Sequence, residues 1–341
     1  MEGRGSKGPA VCVTGGTGFL GSWLIMKLLH HGYHVHATIR HNNKRDDDIT
    51  FLTDLPGAAE NLKLFEADLG HPETFSAAIT GCSAVIHVAT PALDFNNNNQ
   101  DHHTAEEAIV ERSITGTLGI LKACLHHSET VKRVVYTSGT AAVVYNDGHE
   151  DQMMDESFWT DVEYGRKVMK NKFTRTLMTA KTLTEWKAVE FAREHGMDLV
   201  TLIPSIVVGP FICAKFPASI RLALAMVFGE KDDGGGGMMT EVSMVHVDDV
   251  ARAYVFLLES PTAEGRYICS SSRLTKDQRD KLSAKYPDLA VPAMKSLKDI
   301  KGLKVPKISS RKLLDAGFEF KYGLDDMFDA AIKCCKTKCY I

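Results

Sequence analysis

Three glycines spaced three apart give the first chemical signal in this chain. Gly15, Gly18 and Gly21 stand in "TGGTGFLG", directly behind the apolar run "AVCVT" (Ala10 to Thr14) and at the head of "GFLGSWLIMKLLHHG". A β-branched run that stops at glycine reads as a buried strand, and helical spacing of apolar residues after it reads as a helix. In that context each glycine has a task. The first makes the tight turn, the second admits a pyrophosphate to backbone N–H groups, and the third lets the helix lie close to the strand. The helix N-terminus then faces the negative charge. The residues expected to touch a dinucleotide here are Gly15, Thr17, Gly18, Phe19, Leu20 and Gly21.

The end of the second strand selects the cofactor. An acid at that place accepts from a ribose 2′-hydroxyl, whereas a cation there binds a 2′-phosphate. The strand ends "ATIR" and runs into "HNNKR", with no acid before Asp46. Arg40, with Lys44 or Arg45 behind it, therefore predicts NADP(H). "EADL" offers Asp68 and Leu69 at the adenine end. The backbone of "HVATP", through Val88, Ala89 and Thr90, lies where a dinucleotide must pass.

These residues need a frame. "HVHATIR", "NLKLFEADL", "CSAVIHVAT", "VKRVVYTS" and "LVTLIPSIVVG" read as strands. "HPETFSAAITG", "AEEAIVERSITGTLGILKACLHH" and "FTRTLMTAKTLTEWKAVEFAREHG" read as helices between them. Such alternation predicts an α/β fold, a Rossmann doubly wound parallel sheet with helices on both faces. After about residue 210 the pattern loosens into a helix, a glycine-rich loop, a short strand and another helix, then small elements including "RYICSS" packed to one side. The expected division is 8–205 as the NADP-binding domain, with later segments interleaved, and 206–341 as mainly a small C-terminal substrate domain. The carboxylates of "HVDD" (His246 to Asp249) read as caps of the helix that follows.

Composition excludes several classes. A net charge of −3 gives no reason to expect nucleic acid or an anionic membrane as partner. Hydrophobic residues make up 44% of the chain and charged residues 24%, the balance of a globular enzyme acting on a small molecule. The eight cysteines show no metal-ligand spacing, so no metal is expected, and reduced thiols point to the cytoplasm. There is no apolar signal region ahead of the first strand and no apolar run long enough for a membrane span.

Taken together, "VCVTGGTGFLGSWLIMKLL", "ATIR", "VIHVATP", "VVYTS", "KTLTE", "VVGPF", "VHVDDVARA" and "GFEFKYGLDDMF" carry a resemblance. From about residue 10 onward the chain resembles the plant dihydroflavonol reductase-like branch of the extended short-chain dehydrogenases. The resemblance implies NADPH, a phenolic or alkaloid-like substrate, and a monomer or weak homodimer. Further cofactor contacts, at Thr137 and Ser138 of "VVYTS", Lys181, and Pro204 and Val207 of "LIPSIVVG", are expected on the family resemblance that these motifs help to carry. It also implies three catalytic groups: a tyrosine that protonates the carbonyl, a lysine four residues on that binds the nicotinamide ribose, and a serine that holds the carbonyl oxygen. The lysine falls on Lys181. The tyrosine position is Leu177 and the serine position is Gly139, so neither side chain can move a proton.

A positioned general acid contributes about 10² to 10⁴ in rate and an oxyanion donor about 10² to 10³. Without both, ordinary ketone reduction should be slow. Thr140, next to Gly139, and Tyr145, further along the same segment, are the candidate replacements. His87 is a weaker one. Tyr164 and Lys167 are expected on a loop before the long helix. Three readings follow: an NADPH-dependent reductase with altered chemistry, a cyclase, isomerase or dehydratase that uses NADP(H) as scaffold, and a cofactor-binding pseudoenzyme.

Overall fold

The computed structural model describes residues 10–40, 49–91, 102–149, 151–169, 171–229, 241–292 and 305–341. Lys44, the polyasparagine stretch and the glycine-rich loop lie outside the described residues. The strands are β1 (Ala10–Thr14), β2 (His34–Ile39), β3 (Leu62–Glu66), β4 (Ala84–His87), β5 (Arg133–Thr137) and β6 (Met153–Met154). They continue with β7 (Leu199–Pro204), β8 (Ile206–Val208), β9 (Val242–His246), β10 (Gly265–Cys269), β11 (Ser272–Leu274) and β12 (Lys307–Ile308). The longer helices are α1 (Phe19–His30), α2 (His102–His126), α3 (Val162–Val168), α4 (Lys172–Glu194), α5 (Ala218–Phe228), α6 (Val247–Glu259), α7 (Lys276–Lys285) and α8 (Leu324–Thr337).

Seven strands form one parallel sheet in the order β10-β7-β5-β4-β1-β2-β3. The order reverses at β1, which pairs with both β2 and β4, and such a switch point opens a crevice at the carboxyl ends of the strands. Alternation along each strand divides the core. Val11, Val13, Ile86 and Val135 pack on the α1 and α6 side, while Cys12, Val85 and Val134 pack with Ile120, Leu121 and Phe191 on the α2 and α4 side. Both faces are covered, as a parallel sheet requires. A separate cluster, built on Phe211, Leu224, Phe228, Met327 and Phe328, joins α5 to α8.

Four expectations change. "LVTLIPSIVVG" is two strands rather than one: β7 lies in the large sheet, and after Ser205 β8 pairs with β9 in a sheet ordered β11-β9-β8. "RYICSS" is not a side element, because β10 pairs in parallel with β7 and forms the edge of the main sheet. Tyr164 and Lys167 lie on α3, whose start Asp161 caps by accepting from the N–H groups of Glu163 and Tyr164. In "HVDD" the cap is His246, whose ring accepts from Asp248 N at 3.1 Å. Asp248 instead accepts from Trp23 Nε1 and pairs with Lys27, while Asp249 accepts from the backbone N–H groups of Lys321 and Tyr322. The carboxylates tie distant segments to α6, which a local reading could not foresee.

Candidate active site

The cradle at the switch point has no room for side chains. Gly15 has φ +74°, and a Cβ on it would lie 2.9 Å from Ala89 Cα. A Cβ on Gly21 would lie 2.2 Å from the Gly15 carbonyl oxygen. Gly15 N donates to Thr38 Oγ1 and Gly16 N to the Thr38 carbonyl, which locks the turn against β2. Gly18 is exposed and begins α1 with no side-chain cap, so the first-turn N–H groups face the crevice. Tight turn, close backbone approach and uncapped helix end are the features a dinucleotide pyrophosphate needs, and these residues fit one.

Behind the cradle, Thr14 fixes the end of β4. Its hydroxyl accepts from Val88 N and Ala89 N, each at 3.1 Å, and contacts His87 Nδ1 at 2.8 Å. Two accepted bonds fill the oxygen's lone pairs, so its hydrogen goes to Nδ1. His87 therefore carries its proton on Nε2 and donates to Thr117 Oγ1 at 3.0 Å. Burial, aided by the charge of Lys181, lowers the His87 pKa to about 3. This neutral imidazole, with both nitrogens engaged, has no proton to give a substrate.

Lys181 is half-buried on α4 and donates to the Thr137 carbonyl at 3.2 Å and to Thr90 Oγ1 at 3.3 Å. Desolvation lowers its pKa to about 8, against the opposing pull of Glu185. One turn earlier Leu177, also half-buried, lines the same small cavity as Lys181. Gly139 is extended, with φ −179° and ψ 159°, and a Cβ there would meet only the Pro204 carbonyl at 3.8 Å. A serine would fit, so the missing hydroxyl has no steric cause in this backbone.

Ser138 faces the other way. Its Oγ donates to Glu185 Oε2 at 2.5 Å, and Glu185 pairs with Arg266 at 2.7 Å. Arg266 also donates to the carbonyls of Glu156 and Phe158 and lies over the Trp159 ring. Thr137 Oγ1 bonds Tyr254 OH at 2.6 Å. The side chains of Thr137 and Ser138 are thus used in the core, and their backbone is partly engaged as well, the Thr137 carbonyl by Lys181 and the Ser138 N–H by the Leu202 carbonyl.

The other expected residues divide. Asp68 is exposed, and its Oδ1 accepts from Gly70 N at 2.6 Å, shaping the turn after β3. Leu69 is buried, with its side chain against the closest approach of α2 at Gly116. Arg40 is exposed just past β2. Thr140 opens a single 3₁₀ turn, its carbonyl accepting from Val143 N. Tyr145 is half-buried beside Gly165 and Met178, and burial pushes its pKa up to about 12. Neither Thr140 nor Tyr145 lines the cavity that Leu177 shares with Lys181. Tyr136, Thr184 and Thr117 do line it, and the sequence reading passed over all three. Glu185 was missed as well. Its signal was an acid four residues after Lys181, one turn along the same helix face.

Comparison with known proteins follows the same lines. Residues 11–268 match the model of the NAD dependent epimerase/dehydratase family. Vestitone reductase of Medicago sativa is 47% identical over 341 residues, covering 100% of this chain and 99% of the relative. Noscapine synthase of Papaver somniferum is 40% identical, covering 100% of this chain and 95% of the relative. The crystal structure of alfalfa vestitone reductase superposes with TM-score 0.81 at 46% identity, covering 98% of this chain and 100% of that one.

Proposed function

The chain belongs to the NAD dependent epimerase/dehydratase family, and we propose that it is an NADPH-dependent reductase of plant specialised metabolism with altered proton delivery. The observation that carries this reading is the contrast across one site. The glycine cradle and Lys181 are in place, while Leu177 and Gly139 present no proton to a substrate.

Gly15, Gly18, Gly21 and the start of α1 would hold the pyrophosphate and Arg40 the 2′-phosphate, with Lys181 beside the nicotinamide ribose. When bound, the dinucleotide supplies hydride. The protein's own part is to position a phenolic or alkaloid-like substrate beside Gly139 and Leu177, to keep water out with Leu177, and to place a proton by some group other than residue 177. Reductase and synthase names among the relatives support such a substrate class. No helix of the described residues is long and apolar enough to cross a membrane, and we place the protein in the cytosol as a monomer or weak homodimer.

The test is isotopic. Purified protein is given NADPH deuterated at the transferable position together with aromatic ketones, iminium compounds and quinone methides. Deuterium in the product is expected. Product without label would replace the reductase with a cyclase, isomerase or dehydratase. Tight NADPH binding with no product from any of the three classes would favour a cofactor-binding pseudoenzyme.

A further inference from the structure

Beneath Lys181 lies a cavity between α2 and α4, with about 20 Å³ open to the centre of a water molecule. That is room for one ordered water. Its polar lining comes from Thr90, Ser113, Thr117, Tyr136, Lys181 and Thr184, and Leu177 is part of its wall. One of these groups is buried without a partner. Thr184 Oγ1 is buried with no hydrogen bond. Tyr136 is 4% exposed and lines the same space. Tyr136 reaches the cavity because it shares a face of β5 with Val134, on the α2 and α4 side, whereas Thr137 points to Tyr254. A buried hydroxyl left unpaired costs about 1–3 kcal/mol, so Thr184 Oγ1, facing a water-sized space that Tyr136 and an ammonium also line, marks a built water site.

We propose that one water in this cavity, held by Tyr136 and Thr184, hydrates Lys181 from within, and that Lys181 is the residue that gives the substrate oxygen its proton. This rests on the reductase reading above. The balance is simple: an N–H bond of the ammonium breaks, an O–H bond forms on the alkoxide left by hydride addition, and the neutral amine regains a proton from solvent water. Of the three ammonium protons, one goes to the Thr137 carbonyl and one can go to the water. The one shared with exposed Thr90, in a long 3.3 Å contact, is free to move to a substrate. Tyr136 and Thr184 are positioning residues.

The groups facing Lys181 are consistent with that role. Glu185, on the same helix, is committed to Arg266 and Ser138. His87 from β4 is neutral, and α2 contributes the uncharged Ser113 and Thr117. Burial raises the Tyr136 pKa, so Tyr136 stays protonated. With its own pKa lowered to about 8, Lys181 is charged at neutral pH and still able to release a proton.

Pulse acetylation across pH with acetic anhydride, read by mass spectrometry of the Lys181 peptide, tests the site in cofactor-free protein. Half-maximal reactivity is expected near pH 8, against about 10.4 for exposed lysines. Tyr136→Phe and Thr184→Val keep the shape and remove one water partner each, so each should move the midpoint down by roughly half a unit with melting temperature unchanged. A midpoint that stays put in both variants, or a wild-type Lys181 that titrates with the surface lysines, overturns the water site. Turnover with the labelled NADPH and a ketone should fall above the Lys181 midpoint, and the break should move down with it in Tyr136→Phe. A rate that is flat through the midpoint overturns the donor role while leaving deuterium transfer, and so the reductase reading, intact.

Discussion

Replacing Arg266 with methionine is expected to remove a large part of the protein's stability, by an amount the structure lets one work out. Glu185 is 0% exposed and Arg266 8%. The guanidinium donates to both carboxylate oxygens and to the carbonyls of Glu156 and Phe158 at 2.7 and 2.6 Å, with its carbon 3.7 Å from the centre of the Trp159 ring. Arg266→Met keeps much of the apolar stem but leaves a buried carboxylate with only the Ser138 hydroxyl. Breaking one partner of a buried ion pair costs about 3–5 kcal/mol. The lost stacking over Trp159 and the two stranded carbonyls push the value toward the top of that range. At about 1.4 °C per kcal/mol for a chain of this size, the melting temperature should fall by roughly 7 °C.

The assay is reversible urea unfolding with thermal melts alongside. The pair Arg266→Met with Glu185→Leu should recover most of the loss, because it removes the stranded charge as well. A single variant that loses less than about 1 kcal/mol, or a double variant no better than the single, would refute the reasoning. The wild-type pair would then be contributing little, and the placement of Ser138 and Lys181 would have to rest on other contacts.

Three further outcomes are expected. Gly139→Ser with Leu177→Tyr should raise reduction of aromatic ketones by at least about 100-fold, followed by loss of nicotinamide absorbance, since the new serine Cβ has 3.8 Å of clearance; a folded double variant with unchanged NADPH affinity and no gain would mean that the pocket itself is not shaped for ketones. Arg40→Glu should weaken NADPH binding by about ten- to a hundredfold and spare NADH, as the loss of a charge-assisted phosphate contact implies; equal effects on both by fluorescence titration would exclude Arg40 from the phosphate site. His87 has a folded pKa near 3, below its unfolded value, so the unfolded chain takes up the proton first and stability drops as pH falls from about 6.5 toward 3. His87→Gln should flatten that slope in melts between pH 6 and 4, though His246, lowered to about 4, keeps part of it; an unchanged slope would mean His87 is already charged in the folded state.

Much of the frame was legible. "AVCVT" predicts β1 to the residue, and "FTRTLMTAKTLTEWKAVEFAREHG" predicts α4 to within two residues at its C-terminal end, because strand and helix periods are written in neighbouring residues. The same local signals misjudge "LVTLIPSIVVG", where an unbroken apolar run hides the change of sheet at Ser205. They also set "RYICSS" aside, since nothing local says that an edge strand 61 residues after β7's end (204 to 265) returns to it. In the site, adjacency to Gly139 points to Thr140 as a candidate acid, and the family resemblance points to Tyr145 as a pocket-lining one. The cavity beside Leu177 is lined instead by Tyr136 and Thr184, which strand parity and helix packing bring there.

The sequence by itself determined the glycine cradle, the place of Lys181 one turn after Leu177, and the absence of a hydroxyl at Gly139. These depend on residue type and on spacings within one element. Only the tertiary structure decided that Ser138 turns to Glu185 and Arg266, 47 and 128 positions away (138 to 185 and 138 to 266), that His87 is held neutral between Thr14 and Thr117, and that Tyr136 lies beneath Lys181. Such pairings follow from strand order, sheet twist and the seating of helices on the sheet. Those are set by burial summed over the whole chain and leave no periodic mark near the residues they join.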